Sequence, residues 1–126
     1  ASDSYIARHG VPKDEDDLKN HFFVGHDNAQ SRAPFARWLR DIVPDDAFVF
    51  RTTDNRNMQD AILAGAGIGF VTIQEAISNA ALTEVIPSRS EWSAPLWIVT
   101  HVDLHRTTKV QTFLRFLKDS IKAMDC

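Results

Sequence analysis

The chain runs to 126 residues, 44% apolar and 25% charged, with a formal net charge of −3. That is the composition of an ordinary soluble domain with one modest core, and it excludes a broad phosphate-gripping surface, which needs clustered Lys and Arg. One cysteine, Cys126, excludes a disulfide framework and favours a reducing compartment, while no apolar run nears the about 18 residues of a membrane span and no signal peptide is visible.

Residues 2–9 read as a short helix capped by Ser2 or Ser4, with Tyr5 and Ile6 inward and Gly10 as its stop. Residues 13–19 form an acidic, solvated turn of helix anchored by Leu18; they lack the glycine and alternating oxygen ligands of a calcium loop. Phe22-Phe23-Val24 is a compact buried strand that Gly25 ends. A polar loop, 26–31, leads to a helix with Pro34 in its first turn and Phe35, Trp38, Leu39 and Ile42 on one face. Arg32, Arg37 and Arg40 fall towards the other face, as solvated surface or as a subunit interface.

Residues 48–71, FVFRTTDNRNMQDAILAGAGIGFV, organise the rest. Phe48-Val49-Phe50 is strand-like, and Thr52, Thr53, Asp54 and Asn55 carry oxygens that cap a helix start. Met58, Ala61 and Ile62 recur at helical spacing, Gly65-Ala66-Gly67 ends the helix, and 67–71 returns as a strand buried on both faces. The two strands of this unit are expected to be parallel neighbours. Beyond it, 73–81 reads as a helix with Ile73, Ala76, Ile77 and Ala80 facing the sheet. Residues 82–86 read as a short strand, 88–94 as a polar loop holding Trp92, and 95–100 (PLWIVT) as a strong strand. Thr107 or Thr108 caps the last helix, whose stripe of Val110, Phe113, Leu114, Leu117, Ile121 and Met124 is the longest in the chain.

Most chemistry is absent. Gly65 to Gly69 has a helix before it and a strand after it, the inverse of a dinucleotide loop, so it punctuates the chain. There is no Walker loop and no G-x-S-x-G elbow. His101 and His105 have zinc spacing, but on a strand-to-loop segment they do not converge, and no Cys or H-E-x-x-H partner accompanies them. Asp45 and Asp46 precede a strand, where a phosphoreceiver needs them after one. His26 and Asp27 follow a strand end, the place for a general base, yet no nucleophile partners them. No metal, no cofactor and no catalytic set is expected. What survives lies just past 48–50: in an open parallel sheet, ligands bind outside the carboxyl ends of strands. Thr52, Thr53, Asp54 and Asn55 there admit two readings. They cap the helix and no more, or their hydroxyls and free amides hold a small carboxylate or other polar anion.

Three segments in order resemble the effector-binding domain of LysR-type transcriptional regulators. ASDSYIARHGVPKDEDDL is similar to the family's A-S-x-x-Y-L-x-x-x-G-x-P-x-x-x-x-D-L stretch, and TTDNRNMQDAILAGAGIGFV to its polar turn, helix and A-G-x-G-I-x-x-L/V ending. PLWIVTH, then TTKVQTFLRFLKDSI, resembles its return strand and closing helix. The resemblance implies an α/β, periplasmic-binding-protein-like lobe: a mostly parallel sheet flanked by helices, with a return crossover strand and a C-terminal helix. It makes 1–94 the second lobe and 95–126 the crossover strand and closing helix of the first. The chain, without an initiator Met, is expected to be a fragment, its DNA-binding domain and most of the first lobe lying outside it. A small anionic or polar effector, self-association as a dimer or tetramer, DNA contact only through the missing N-terminal domain, no membrane partner and a cytoplasmic place are implied. Thr53 matches the position where family members commonly contact the effector through a hydroxyl, with Thr52 beside it. Thr72, standing near the family's usual proline, is a further polar contact, and Gly25 and His26, after the first strand, line the same rim. A solute-binding module unrelated to transcription and a small α/β enzyme using His26 and Asp27 stay open as alternatives. Stripped of its lobe, the last helix is expected to pair with another chain, swap, or fold back on the sheet.

Overall fold

A run that is apolar on both faces belongs in the middle of a sheet, and Phe23-Val24 goes there. In the computed structural model, which describes residues 1–124, strand β1 (Phe23–His26) carries Phe23 and Val24 each 1% exposed. Strand β2 (Phe48–Thr52) pairs with it in parallel. On the edge of β1 that β2 leaves free, Ile68 bridges Phe23, also in parallel, with Val24 N–H on the Ile68 carbonyl and Ile68 N–H on the Phe22 carbonyl, both at 2.8 Å. The expected direct pairing of 48–50 with 67–71 therefore does not form. The two segments flank β1 from opposite edges, and 67–71 is reduced to that one bridge. The doubly apolar strand takes the centre; β2 tolerates an edge, with Val49 half exposed. Gly25 does not end β1 but lies inside it, opposite Arg51.

Successive residues of a strand point to opposite faces, so β1 seeds two cores. Phe23 joins Tyr5, Leu18, Leu39, Val43, Ala47 and Ile68 in one. These come from helix α1 (Asp3–His9), a 3-10 turn (Asp16–Asn20), helix α2 (Pro34–Ile42) with the turns beyond it, and the bridging residue Ile68. Val24 joins Met58 and Ile62 of helix α3 (Asn55–Leu63) in the other. Ser2 caps α1, its Oγ accepting from Tyr5 N–H at 3.3 Å. α3 closes through Gly65 at φ 80, with Gly65 N–H on Ile62 O and Ala66 N–H on Ala61 O, each 3.0 Å. That paired return of amides to the last turn is why a left-handed residue is needed there.

Expectations fail at several points beyond Val71. Helix α4 (Ile73–Ser78) stops early, and Ile73 and Ile77 are 62% and 75% exposed instead of facing the sheet. Six residues make fewer than two turns, too short to lay an i, i+4 face across strands. Residues 82–86 supply one antiparallel bridge, Leu82 to Ser2, and no strand. After Ala94 a second compact unit begins, where 95–100 forms no ladder and Leu96, Trp97 and Val99 stay exposed. β propensity without a neighbour's N–H and C=O groups does not make a strand. The strand-to-loop expectation at 101–105 gives way to a short helix, α5 (Val102–His105), and helix α6 (Thr108–Met124) follows with Leu114 buried. Thr107 Oγ1 donates to Leu104 O at 2.7 Å, so it closes α5 and does not cap α6. Cys126, expected on a fraying end, lies outside the described residues.

A buried polar knot ties α1 to β1. Phe22 N–H donates to the Tyr5 hydroxyl at 3.0 Å, and the same hydroxyl shares a hydrogen bond with His21 Nδ1 at 2.9 Å. The ring's other nitrogen, Nε2, lies 3.9 Å from Asp17 Oδ2. Burial pushes the Tyr5 phenol above its ordinary 10.0. The Lys13 amide and then the Asn20 side chain hold Asp17 below 3.8.

Phe23→Ala is expected to remove about 3–5 kcal/mol of stability in urea unfolding, since its ring spans the first core. Tyr5→Phe strands His21 Nδ1 and the Phe22 amide and should cost about 1–3 kcal/mol at neutral pH. Tyr5 ionises above its unfolded value, so its contribution is whole below about pH 10 and lost as pH rises through the folded value. Unfolding titrations repeated up the alkaline range should show that step in the parent and not in Tyr5→Phe.

Candidate functional site

Parallel strands end on a common edge, and β1 and β2 do so in register: His26 pairs with Thr52, and Asp27 N–H reaches Thr52 O at 3.1 Å. The segment through Ile68 runs the same way and leads to Thr72. Topology therefore directs Gly25, His26, Thr52, Thr53 and Thr72 towards the carboxyl side of the sheet.

Their side chains are committed to different degrees. Thr52 Oγ1 accepts from Asp54 N–H at 3.1 Å. Asp54, not a threonine, is the cap of α3: its Oδ1 accepts from Arg56 N–H at 2.8 Å and Asn57 N–H at 3.0 Å. Thr53 is exposed, and its hydroxyl has no hydrogen-bond partner among the described residues. Thr72 is locked in a capping box, its Oγ1 accepting from Glu75 N–H while the Glu75 carboxylate takes the Thr72 amide at 2.9 Å. His26 Nδ1 accepts from Asn28 N–H at 3.0 Å, which leaves the ring's other nitrogen to carry the proton when neutral. That bond goes to a backbone amide, so His26 and Asp27 form no acid–base relay through Nδ1. Gly25 is buried, and a Cβ there would stand 2.5 Å from the Phe48 ring, so it lets β2 approach and offers no surface.

Two of the α3 amides, those of Arg56 and Asn57, are taken by the chain's own Asp54 carboxylate, which also places a negative charge at that helix start. The histidine pair is likewise resolved. His101 caps α5 through Nδ1 to Asp103 N–H at 3.2 Å, and His105 Nδ1 lies 3.0 Å from Thr100 Oγ1. Among the described residues no three His, Cys, Asp or Glu side chains are grouped to hold a metal.

A concavity of the first unit lies elsewhere. A cavity of about 400 Å³ is lined by Phe23, Leu39, Ile68, Phe70, Trp38 and Trp92 among others, and none of the five edge residues borders it. Sequence reasoning placed Trp92 in a polar loop and missed that it folds onto Trp38 and Phe70. The clue available was a tryptophan inside an otherwise polar stretch, which needs an apolar seat.

Parallel strands between helices, with polar groups at their carboxyl ends, place the molecule among α/β lobes of the periplasmic-binding-protein kind, a class that holds small molecules beside strand ends. Residues 1–122 match the LysR substrate binding domain, and the chain belongs to that family. It is similar to the probable HTH-type transcriptional regulator LtrA of Klebsiella pneumoniae, 24% identical over 133 residues, covering 99% of this chain and 43% of that protein. The chain thus spans less than half of that relative's length. No solved structure matches it significantly. Membership makes the chain a ligand-sensing regulatory domain; regulators of the family bind small-molecule effectors and oligomerise. Among the described residues no helix is long and apolar enough to cross a membrane.

Asp54→Ala removes the α3 cap and should lower stability by about 1 kcal/mol in urea unfolding, with Asp54→Ser retaining most of it. An unchanged midpoint for the alanine variant would sink the capping role.

Proposed function

We propose that residues 1–94 are the second lobe of a LysR-type effector-binding domain, and 95–126 the return crossover and closing helix of the first. The effector is a small polar molecule held at the carboxyl edge, with Thr53 donating or accepting through its uncommitted hydroxyl and Thr52 beside it. His26, through its ring, is a rim contact; Thr72 shapes the wall through its backbone, since its hydroxyl is bonded, and buried Gly25 contributes only by letting β2 approach. The effector binds one lobe arrangement better than another and biases a dimer or tetramer towards it, a population shift with no bond made or broken in the effector. In the intact cytoplasmic regulator, a separate N-terminal domain carries the DNA contact.

The observation that supports this reading is the family match over 1–122 together with a free hydroxyl at a strand end. Deleting one hydrogen bond is worth a modest factor. In a reporter strain carrying the intact regulator, Thr53→Ala should raise the effector concentration for half-maximal response about three- to tenfold. An identical dose–response curve, at equal protein level, would remove Thr53 from the site.

A further inference from the structure

Residues 82–86 read as a strand in the sequence, yet they make one antiparallel bridge, Leu82 to Ser2. The bonds around that bridge fix a register. Asp3 N–H donates to Ala81 O at 3.0 Å, Thr83 N–H to Ala1 O at 2.8 Å, and the Ala1 nitrogen to Thr83 O at 3.0 Å. Ala1 and Thr83 thus exchange both bonds of an antiparallel pair. Past that pair, Glu84, Val85 and Ile86 make no backbone hydrogen bond among the described residues, and neither do Gly69, Phe70 and Val71. All six, with Ala1, line the apolar cavity of about 400 Å³. Val85, Ile86, Phe70 and Val71 are each partly buried. Peptide groups in such a place call for partners, and a strand edge supplies them at the right spacing.

A small molecule meets one or two of these peptide groups; an extended backbone meets them in series. The chain itself leads such a backbone in, because Ala1 stands on the lining already in ladder geometry with Thr83. The Ala1 ammonium is out of place there, and burial holds its pKa below the ordinary 8.0. Inside a longer chain the same nitrogen is a peptide N–H, which keeps its bond to Thr83 and carries no charge. The LtrA relative does continue beyond the matched region, since this chain covers 43% of it.

We propose that this cavity is the seat of the residues immediately preceding Ala1, which enter as an extended, mainly apolar strand antiparallel to 83–86 and alongside 69–71. The inference rests on the reading of 1–94 as one lobe of a longer regulator. Each step back from Ala1 matches one step forward from Thr83, so the second residue before Ala1 exchanges both bonds with Val85. The ladder ends at Pro87, which has no N–H to give.

In the intact regulator, hydrogen exchange read residue by residue should find the Val85 amide at least about a hundredfold slower than an unstructured one. Fast exchange at Val85 overturns the proposal with no variant involved. A second arm reads the register. With Cys126→Ser as background, Val85→Cys and a cysteine at the second residue before Ala1 stand about 5.5 Å apart between Cα atoms and should close a disulfide within one chain. Moving the upstream cysteine one residue nearer Ala1 turns it to the opposite face and should abolish the bridge. A bridge between two chains instead puts a second copy in the cavity, and a bridge that prefers the shifted position breaks the register; either result overturns the proposal. The Thr53→Ala dose–response curve reads the strand edge separately, so a failure there and a failure here are told apart.

Discussion

Everything in the first unit depends on where Phe23 and Val24 point. They are adjacent in a strand, so one faces up and the other down, and both are buried. Such a strand needs cover on both faces and a neighbour on both edges. α1, the 3-10 turn and α2 cover the Phe23 face; α3 covers the Val24 face. β2 and Ile68 satisfy the backbone on the two edges. Each neighbour arrives through a helical crossover, as parallel pairing requires. The arrangement places the strand ends on one side, which is the precondition for any site there.

Polar groups near that centre are handled by pairing, not by exposure. Tyr5, with no exposed surface, and His21, at 7%, would be costly alone. Together with the Phe22 amide they form a chain of hydrogen bonds through the Tyr5 hydroxyl. It links the start of the chain to the entry of β1, so the α1 side of the core is held by bonds with a fixed geometry as well as by apolar contact.

The same economy governs the carboxyl edge. Both helices that begin there bond part of their own first turns, α3 through Asp54 and α4 through Thr72 with Glu75. Among the groups of that edge, the Thr53 hydroxyl has no hydrogen-bond partner among the described residues. That distinguishes the edge from the apolar cavity lined by Phe23, Trp38, Phe70 and Trp92.

Local pattern and local chemistry were legible in the chain. Ser2 as a cap, Gly65 as a helix stop, the apolar face of α2 and the strand character of 23–24 and 48–50 all rest on residues within a few positions of each other. The family was legible for the same reason, through short ordered motifs that span most of the chain. The edge placement of Thr52 and Thr53 also followed from their position after a strand, although which oxygen would cap α3 did not, because Asp54 competes with them at neighbouring positions. The order of strands, the exposure of Ile73 and Ile77, the irregular path of PLWIVT and the seat of Trp92 were decided only in three dimensions. Each depends on a partner far along the chain: a strand exists only if another backbone lies beside it, and a ring is buried only if distant rings close over it. Propensity is a property of neighbours in sequence, whereas pairing and enclosure are properties of neighbours in space.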